Sequence, residues 1–367
     1  MTMLITGATG FLGGAVLAEA LAGGPADRPL LLVRAAGADE GLRRIHEVLD
    51  RFEVPAALRR RLGPESILCG DLSAVGEFAD DPRLDGVRTV VNCAALATFS
   101  NNPLLWSINV DGTFAFAERM SRVPGLQRFL HVGTAMACGP DLPSPIGESW
   151  AMPPADEHLV PYTASKAEIE RRMHRDLPNL PLVVARPSIV VGHTRLGCRP
   201  SGSIYWVFRM GRALEAFTCA LSERIDLIPV DWCAQALLLL AAKPALAHDL
   251  YHVSAGSCSP RFEDIDRAVA DGLGVSPVGD RYRVVDEADM RALVPLIEER
   301  LGFGNRRLIL RALRLYGGFA RLNYVFDNAR LIAEGMAPPP PVGGFMALCA
   351  ATSGNIPLQD RMAWDFK

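Results

Sequence analysis

Two rhythms run through the apolar positions of this chain. In the first half, short runs are apolar almost from end to end: Met3 to Thr6, Leu30 to Val33, Ser66 to Cys69, Thr89 to Asn92, Arg128 to Val132 and Leu182 to Arg186. A strand covered on both faces reads this way, whereas a half-exposed strand alternates. Between these runs lie longer stretches with apolar residues at helical spacing. Strand and helix in alternation predict an α/β fold, a doubly wound parallel sheet with crossover helices.

Beyond Gly192 the rhythm changes. HTRLGCRPSGS reads as loop, IDLIPVDW and DLYHVSAG as strand-like pieces among helices, and Pro338 to Pro341 as a rigid break. The segment RRLILRALRLYGGFARL sets Arg307, Arg311 and Arg314 at helical spacing opposite a leucine-rich face. Such a helix packs on its own domain, walls an acyl chain or touches a membrane surface.

Composition narrows the classes. The 367 residues are 49% hydrophobic and 22% charged, as in a globular protein, and a net charge of −3 leaves no basic footprint for nucleic acid. The eight cysteines show no CxxC spacing, and they read as buried thiols of a reducing compartment with no disulfides. No cluster has metal-ligand spacing, so no metal is expected. MTMLITG already opens a strand, so no leader is expected ahead of it. The longest apolar run, AQALLLLAAKPALA, is short and broken by Lys243 and Pro244. The expectation is a soluble, cytoplasmic protein with at most peripheral membrane contact.

Candidate chemistry begins at ITGATGFLGG, directly after the first run. Gly7, Gly10 and Gly13 form GxxGxxG at the junction of a strand and a helix. Glycine there permits a tight turn and close backbone approach to a pyrophosphate, which the helix N-terminus favours through its free N–H groups. The sheet is therefore expected to be of the Rossmann, dinucleotide-binding type. The next strand ends in Arg34, with Arg43 and Arg44 shortly after. A guanidinium there suits the 2′-phosphate of NADP(H); Asp39 is the alternative, as an acidic partner for a ribose hydroxyl. Asp71, in CGDLS, falls where an adenine contact would come. The expected division is an NADP-binding Rossmann domain over residues 1–190 and a substrate-side region over 191–367. That second region is smaller and irregular, mixed helices and short strands, with a strand or helix returning to the core.

VPYTASKAEIERRM carries Tyr162 and Lys166 four residues apart, on one face of a helix. A free phenol has a pKa of about 10, high for acid–base work, and a nearby ammonium is expected to lower it. The lysine can also hold the nicotinamide ribose. Thr134, in HVGTAMACG at the end of the fifth strand, is placed to hold a substrate oxygen, because ligands bind at the C-terminal ends of parallel strands.

Taken together, TGATGFLGG, NVDGT, Thr134, YTASK and RPSIVVG resemble the extended short-chain dehydrogenase/reductases over about residues 1–240. Within them the chain looks most like the thioester-reductase and fatty acyl-CoA reductase group. LLLVRA, CGDLS, NCAALATF, GTAMACG with Glu148, YTASKAEIERRM, ARPSIVVG and IPVDW carry that likeness, with LNYVFDNARL a looser echo. The resemblance implies Tyr162 as proton donor, Lys166 as its partner and Thr134 as the oxygen-binding hydroxyl. Gly7, Thr9, Gly10, Phe11 and Leu12 would line the pyrophosphate, with Arg34 and Arg44 on the 2′-phosphate. Asp71 and Leu72 would contact adenine, Ala94 the adenosine side, Pro187 and Ser188 the nicotinamide, while Asn109 braces the site. Asn92 stands where the acyl reductases usually show histidine.

The expected reaction is NADPH-dependent reduction of an acyl thioester, on coenzyme A or an acyl carrier protein, to the aldehyde or onward to the alcohol. The same three residues would serve a ketone, hydroxysteroid or nucleotide-sugar enzyme, and a non-catalytic NADP sensor is the remaining alternative. A homodimer fits the resemblance. His131, His158 and His193 flank the motifs without an identifiable partner, His131 reading as a satisfied core histidine, and no role is assigned to them.

Overall fold

Six of the seven strands of the central sheet are the apolar runs. They are β1 (Thr2–Thr6), β2 (Leu30–Val33), β3 (Ile67–Cys69), β4 (Val87–Asn92), β5 (Arg128–Val132) and β6 (Leu182–Pro187), and β7 (Leu250–Val253) is the seventh. All pair in parallel, in the order β7-β6-β5-β4-β1-β2-β3. The computed structural model describes residues 2–23, 29–98, 102–301 and 306–353, so Phe99 of the NCAALATF motif lies outside the described residues. Ser66 falls outside β3 because Pro64–Ser66 forms a 3₁₀ turn.

Helices cover both faces. On one side α1 (Phe11–Gly23), α2 (Ala38–Arg51) and α6 (Val230–Ala242) bury Val16, Leu17, Ile45, Leu49, Leu237 and Leu240 against the strands. On the other, α3 (Thr113–Ser121) and α4 (Pro161–Asp176) contribute Phe116, Met120, Ile169 and Met173. The two-sided cover is why the strands carry no polar alternation. The order reverses between β1 and β4, opening a crevice at their C-terminal ends.

The remaining helices form satellite cores. α5 (Tyr205–Leu214) packs Trp206, Met210 and Leu214 on Ile309, Leu313 and Tyr316 of α8 (Arg306–Ala320), with Trp206 edge-on to Tyr316 at 5.2 Å. The apolar face of the arginine-bearing helix is thus covered by its own chain. α7 (Phe262–Leu273) packs on α9 (Val342–Thr352). Among the described residues no helix is long and apolar enough to cross a membrane.

Candidate functional site

The glycine turn lies in the crevice between β1 and β4. Gly7 has φ +70°, and a Cβ there would sit 2.8 Å from the Ala94 amide nitrogen, so only glycine fits. The Gly10 amide donates to the Gly7 carbonyl at 2.9 Å, and Gly10 itself is exposed. Thr6 ties the walls together: its hydroxyl donates to Asn92 Oδ1 at 2.6 Å and accepts from the Ala94 amide at 3.0 Å. A pyrophosphate fits this cradle, since the turn offers backbone and α1 its N-terminus. Phe11 stacks on Phe52 with ring centroids 6.3 Å apart, and the Leu72 side chain is buried in the core. Leu72 can therefore offer a ligand only its backbone, while Phe11 stays half-buried beside the turn. Gly7→Ala is expected to weaken cofactor binding at least tenfold by fluorescence titration, and to destabilise the protein by about 1–2 kcal/mol for the left-handed backbone alone.

At the far end of the crevice the structure gathers Arg34, Arg44 and Asp71. Arg34 Nε stands 3.5 Å from Asp71 Oδ2, with the arginine side chain 72% exposed, and Arg44 donates to the Arg34 carbonyl. Arg43 pairs instead with Glu47 on α2. Burial works to raise the Asp71 pKa, but two hydrogen bonds from Ser73 and the Arg34 guanidinium outweigh it and hold the carboxylate below its usual value. An exposed pair of this kind is worth at most about 1 kcal/mol. The guanidinium is therefore free to turn toward a stronger anion.

α4 begins with Pro161 at its first turn, and its polar face runs along the end of β5. Lys166 is buried and donates from Nζ to the Val132 carbonyl at 2.7 Å, two residues before Thr134. Thr134 caps the 3₁₀ turn Ala135–Cys138, accepting from the Met136 amide at 3.3 Å, and α4 packs against that turn. Asn109 braces both sides. Its side chain holds the Leu96 backbone at 2.7 and 3.2 Å and donates to Ser165 Oγ at 3.1 Å. Pro187 and Ser188 are buried where β6 leaves the sheet, the Ser188 amide donating to Val253 at 3.0 Å.

One expectation fails here. Tyr162 keeps part of its surface open, yet crowding around the phenol raises its pKa to about 12, and the Glu170 charge adds to the rise. No effect of Lys166 offsets that rise, and burial brings the lysine itself down to about 8, with Glu170 and then Cys93 opposing that fall. Desolvation outweighs the charge pairing read from the sequence. The phenol stays protonated at neutral pH, the form a proton donor needs.

The sequence reading also missed Glu170 and Arg186. Glu170 follows Lys166 by one turn, and its Oε2 meets Arg186 Nη2 at 2.7 Å and Nε at 2.8 Å, both side chains at most 1% exposed. A Cβ at Gly133 would lie 2.0 Å from Glu170 Oε1, so a side chain there would displace the Glu170 carboxylate. Burial raises the Glu170 pKa, against the Arg186 charge. The i+4 spacing from Lys166 was the available signal, and only the fold brings Arg186 beneath it.

Three further readings change. His131 is only half satisfied: Nδ1 accepts from Asn92 Nδ2 at 3.1 Å, while Nε2 is buried without a partner. Burial, helped by Lys166, keeps it neutral. Asn92, the departure from the family pattern, is thus the bridge between Thr6 and His131. His193 does find a carboxylate, Asp231 at 3.4 Å. All eight cysteines are free thiols, but Cys258 is exposed.

The family model described as "Male sterility protein", an NAD-binding domain, matches residues 5–237. The chain belongs to this family. It is an extended short-chain dehydrogenase/reductase of the thioester-reductase group, with a Rossmann fold suited to a nicotinamide cofactor. A nonribosomal peptide synthetase of Aspergillus hancockii is 23% identical over 81% of this chain and 31% of its own length. Fatty acyl-CoA reductase 2 of Homo sapiens is 25% identical over 71% of this chain and 58% of its own. The chain thus spans about a third of the fungal synthetases it matches. Among solved structures, the terminal R domain from the myxalamid PKS-NRPS pathway superposes with a TM-score of 0.77 at 20% identity, covering 96% of this chain and 90% of that one. At that identity the likeness speaks for the fold.

Proposed function

We propose that this protein reduces an acyl thioester, carried on coenzyme A or on a carrier protein, to the aldehyde at the expense of NADPH. The observation that carries the reading is the convergence of α4 on the end of β5, Lys166 bonded to Val132 and Thr134 beside it, next to the glycine turn. The names of the family's relatives, reductase domains and fatty acyl-CoA reductases, support it.

The glycine turn at Gly7 and Gly10, with Lys166 at the ribose, would hold a reduced nicotinamide cofactor, which would supply the hydride. Thr134 and Tyr162 hold the acyl oxygen as negative charge develops on it. Tyr162 passes its proton to that oxygen, giving a hemithioacetal that breaks down to aldehyde and thiol. Lys166 orients the phenol and holds the nicotinamide ribose, and Asn109 keeps the loop at Leu96 against α4. Residues 191–367 supply the substrate side.

Arg34 and Arg44 select NADPH over NADH in this reading. A charge-assisted hydrogen bond contributes about 1.5–3 kcal/mol, so Arg34→Ala with Arg44→Ala is expected to raise KM for NADPH about 10–100-fold and leave that for NADH almost unchanged. Equal effects on both would remove the arginines from cofactor choice. The reaction itself is tested by following nicotinamide absorbance with purified protein, NADPH and acyl thioesters. Consumption confined to ketones or sugar nucleotides would overturn the thioester reading.

A further inference from the structure

A pocket of about 270 Å³ lies against one flank of α1, near the lower end of the roughly 300–1,000 Å³ usual for ligand sites. Its walls are that helix, the chain leaving α2 and the turn at His193 and Arg195. None of Gly7, Gly10, Thr134, Tyr162 or Lys166 lines it. The pocket meets the cofactor crevice through one ring: Phe52, in its wall, stacks on Phe11 of the glycine turn and lies 6.2 Å from the His193 ring.

The walls divide by chemistry. Ala15, Ala18 and Ala22 share a face of α1 and, with Val54 and Leu58, leave an apolar bed. Two donors stand over it. His193 is 3% exposed, and its Nδ1 accepts from the Arg195 amide at 3.1 Å, so the neutral ring carries its proton on Nε2. Burial keeps that ring neutral against the Asp231 charge. Nε2 bonds none of the described residues, while Asp231 is occupied by the Thr194 amide at 3.0 Å and by the Thr194 hydroxyl. Arg195 is exposed and has no carboxylate partner among the described residues.

Two carboxylates complete the lining. Glu19 accepts from Gln235 Nε2 at 3.1 Å and has no cationic partner among the described residues. Glu53 occupies an unusual place. Its amide donates to the Asp50 carbonyl at 2.9 Å and the Val54 amide to Leu49 at 3.0 Å, a helix ending whose left-handed residue is usually glycine. Glu53 holds that position at φ +53°, which a side chain disfavours. Its ion pair with Arg199 at 2.8 Å leaves the two side chains 53% and 58% exposed and offsets little of the strain. What glutamate supplies there, and glycine would not, is a carboxylate at the pocket.

An anion alone would meet two carboxylates in this space, and a cation alone would meet His193 and Arg195. A molecule with both charges close together on an apolar body suits every wall. We propose that the pocket binds an aliphatic α-amino acid, its carboxylate toward His193 and Arg195 and its ammonium toward Glu19 and Glu53, and that occupancy tightens cofactor binding. An occupant packed on Phe52 holds Phe11 in place, so the cofactor has less order left to impose on the turn. Linkage makes the effect mutual. The inference does not depend on which acyl substrate the enzyme takes.

Isothermal titration calorimetry with leucine, isoamylamine and isocaproate tests the site, the last two lacking the carboxylate and the amine respectively. Leucine should bind at least about tenfold tighter than either, the loss expected for one charge-assisted pairing. Arg195→Ala should weaken leucine by a similar factor and leave isoamylamine unchanged. Glu53→Gly should weaken leucine and isoamylamine, leave isocaproate unchanged and cause no fall in Tm, because glycine relieves the left-handed position. A Glu53 that served only the fold would not separate the ligands in this way. With saturating leucine, fluorescence titration should show NADPH affinity raised about fivefold or more. No binding of leucine, binding no tighter than that of isoamylamine, or binding unmoved in both variants would overturn the site. Unchanged NADPH affinity in saturating leucine would overturn its coupling to the turn.

Discussion

Tyr162→Phe is expected to reduce thioester turnover by about 10²–10⁴-fold, the usual contribution of a positioned general acid. Cofactor affinity should stay within about twofold, because the ring remains and only the hydroxyl is lost. Single-turnover kinetics with saturating NADPH, alongside fluorescence titration of the cofactor, measures both. Burial holds the phenol near 12, so its proton is in place throughout the neutral range. If the variant turned over at the wild-type rate, Tyr162 would have no part in the chemistry.

Glu170→Gln is the second change with a large expected effect. It leaves the Arg186 guanidinium, 1% exposed, without its counter-charge, a loss that typically costs about 3–5 kcal/mol. It also withdraws the carboxylate that favours the Lys166 ammonium. The titratable groups around that ammonium are Glu170 on its own helix, the Cys93 thiol beyond β4, which burial pushes up to about 12, and neutral His131 on β5. Lys166, brought down by burial to about 8, is charged below that pH and loses its charge as pH rises through it. The pH profile of kcat/KM should therefore fall on the alkaline side with a midpoint near 8. In Glu170→Gln that midpoint should move to lower pH.

A double replacement, Glu170→Leu with Arg186→Met, removes both charges and should recover much of the stability while keeping the displaced alkaline limb. A limb that stayed in place in both variants would make the ion pair purely structural. Thermal unfolding monitored beside the pH profile separates the two roles.

The contrast between these two predictions reflects how the site could be read. Tyr162 and Lys166 announce themselves because their spacing is a property of a single helix, and Thr134 because it ends an apolar run. The glycine turn is equally local, since Gly7 is called for by one backbone angle and one close neighbour. Glu170 carries the same helical spacing but reads as an ordinary surface glutamate until β6 brings Arg186 under it. Asn92 shows another side of this. It looked like a departure from the family's histidine, yet its amide fills a bridging position between Thr6 and His131 that a list of motifs does not contain.

The helix at Arg306–Ala320 had three readings from its arginine and leucine stripes, and covering by α5 decided for packing on its own chain. The same packing leaves Tyr316 and Phe319 lining an apolar cavity.

By itself the sequence determined the parallel α/β architecture, and it put forward the glycine turn and the three hydroxyl and amine groups as the candidate site. Each of these follows from residues adjacent in the chain, through strand burial, backbone angles and helical spacing. The tertiary structure alone decided the charge state of those groups, the ion pair beneath them and the apolar cavity beside α8. Such properties depend on desolvation and on neighbours supplied by distant segments, and an ionisable side chain carries no mark of its burial until those segments close over it.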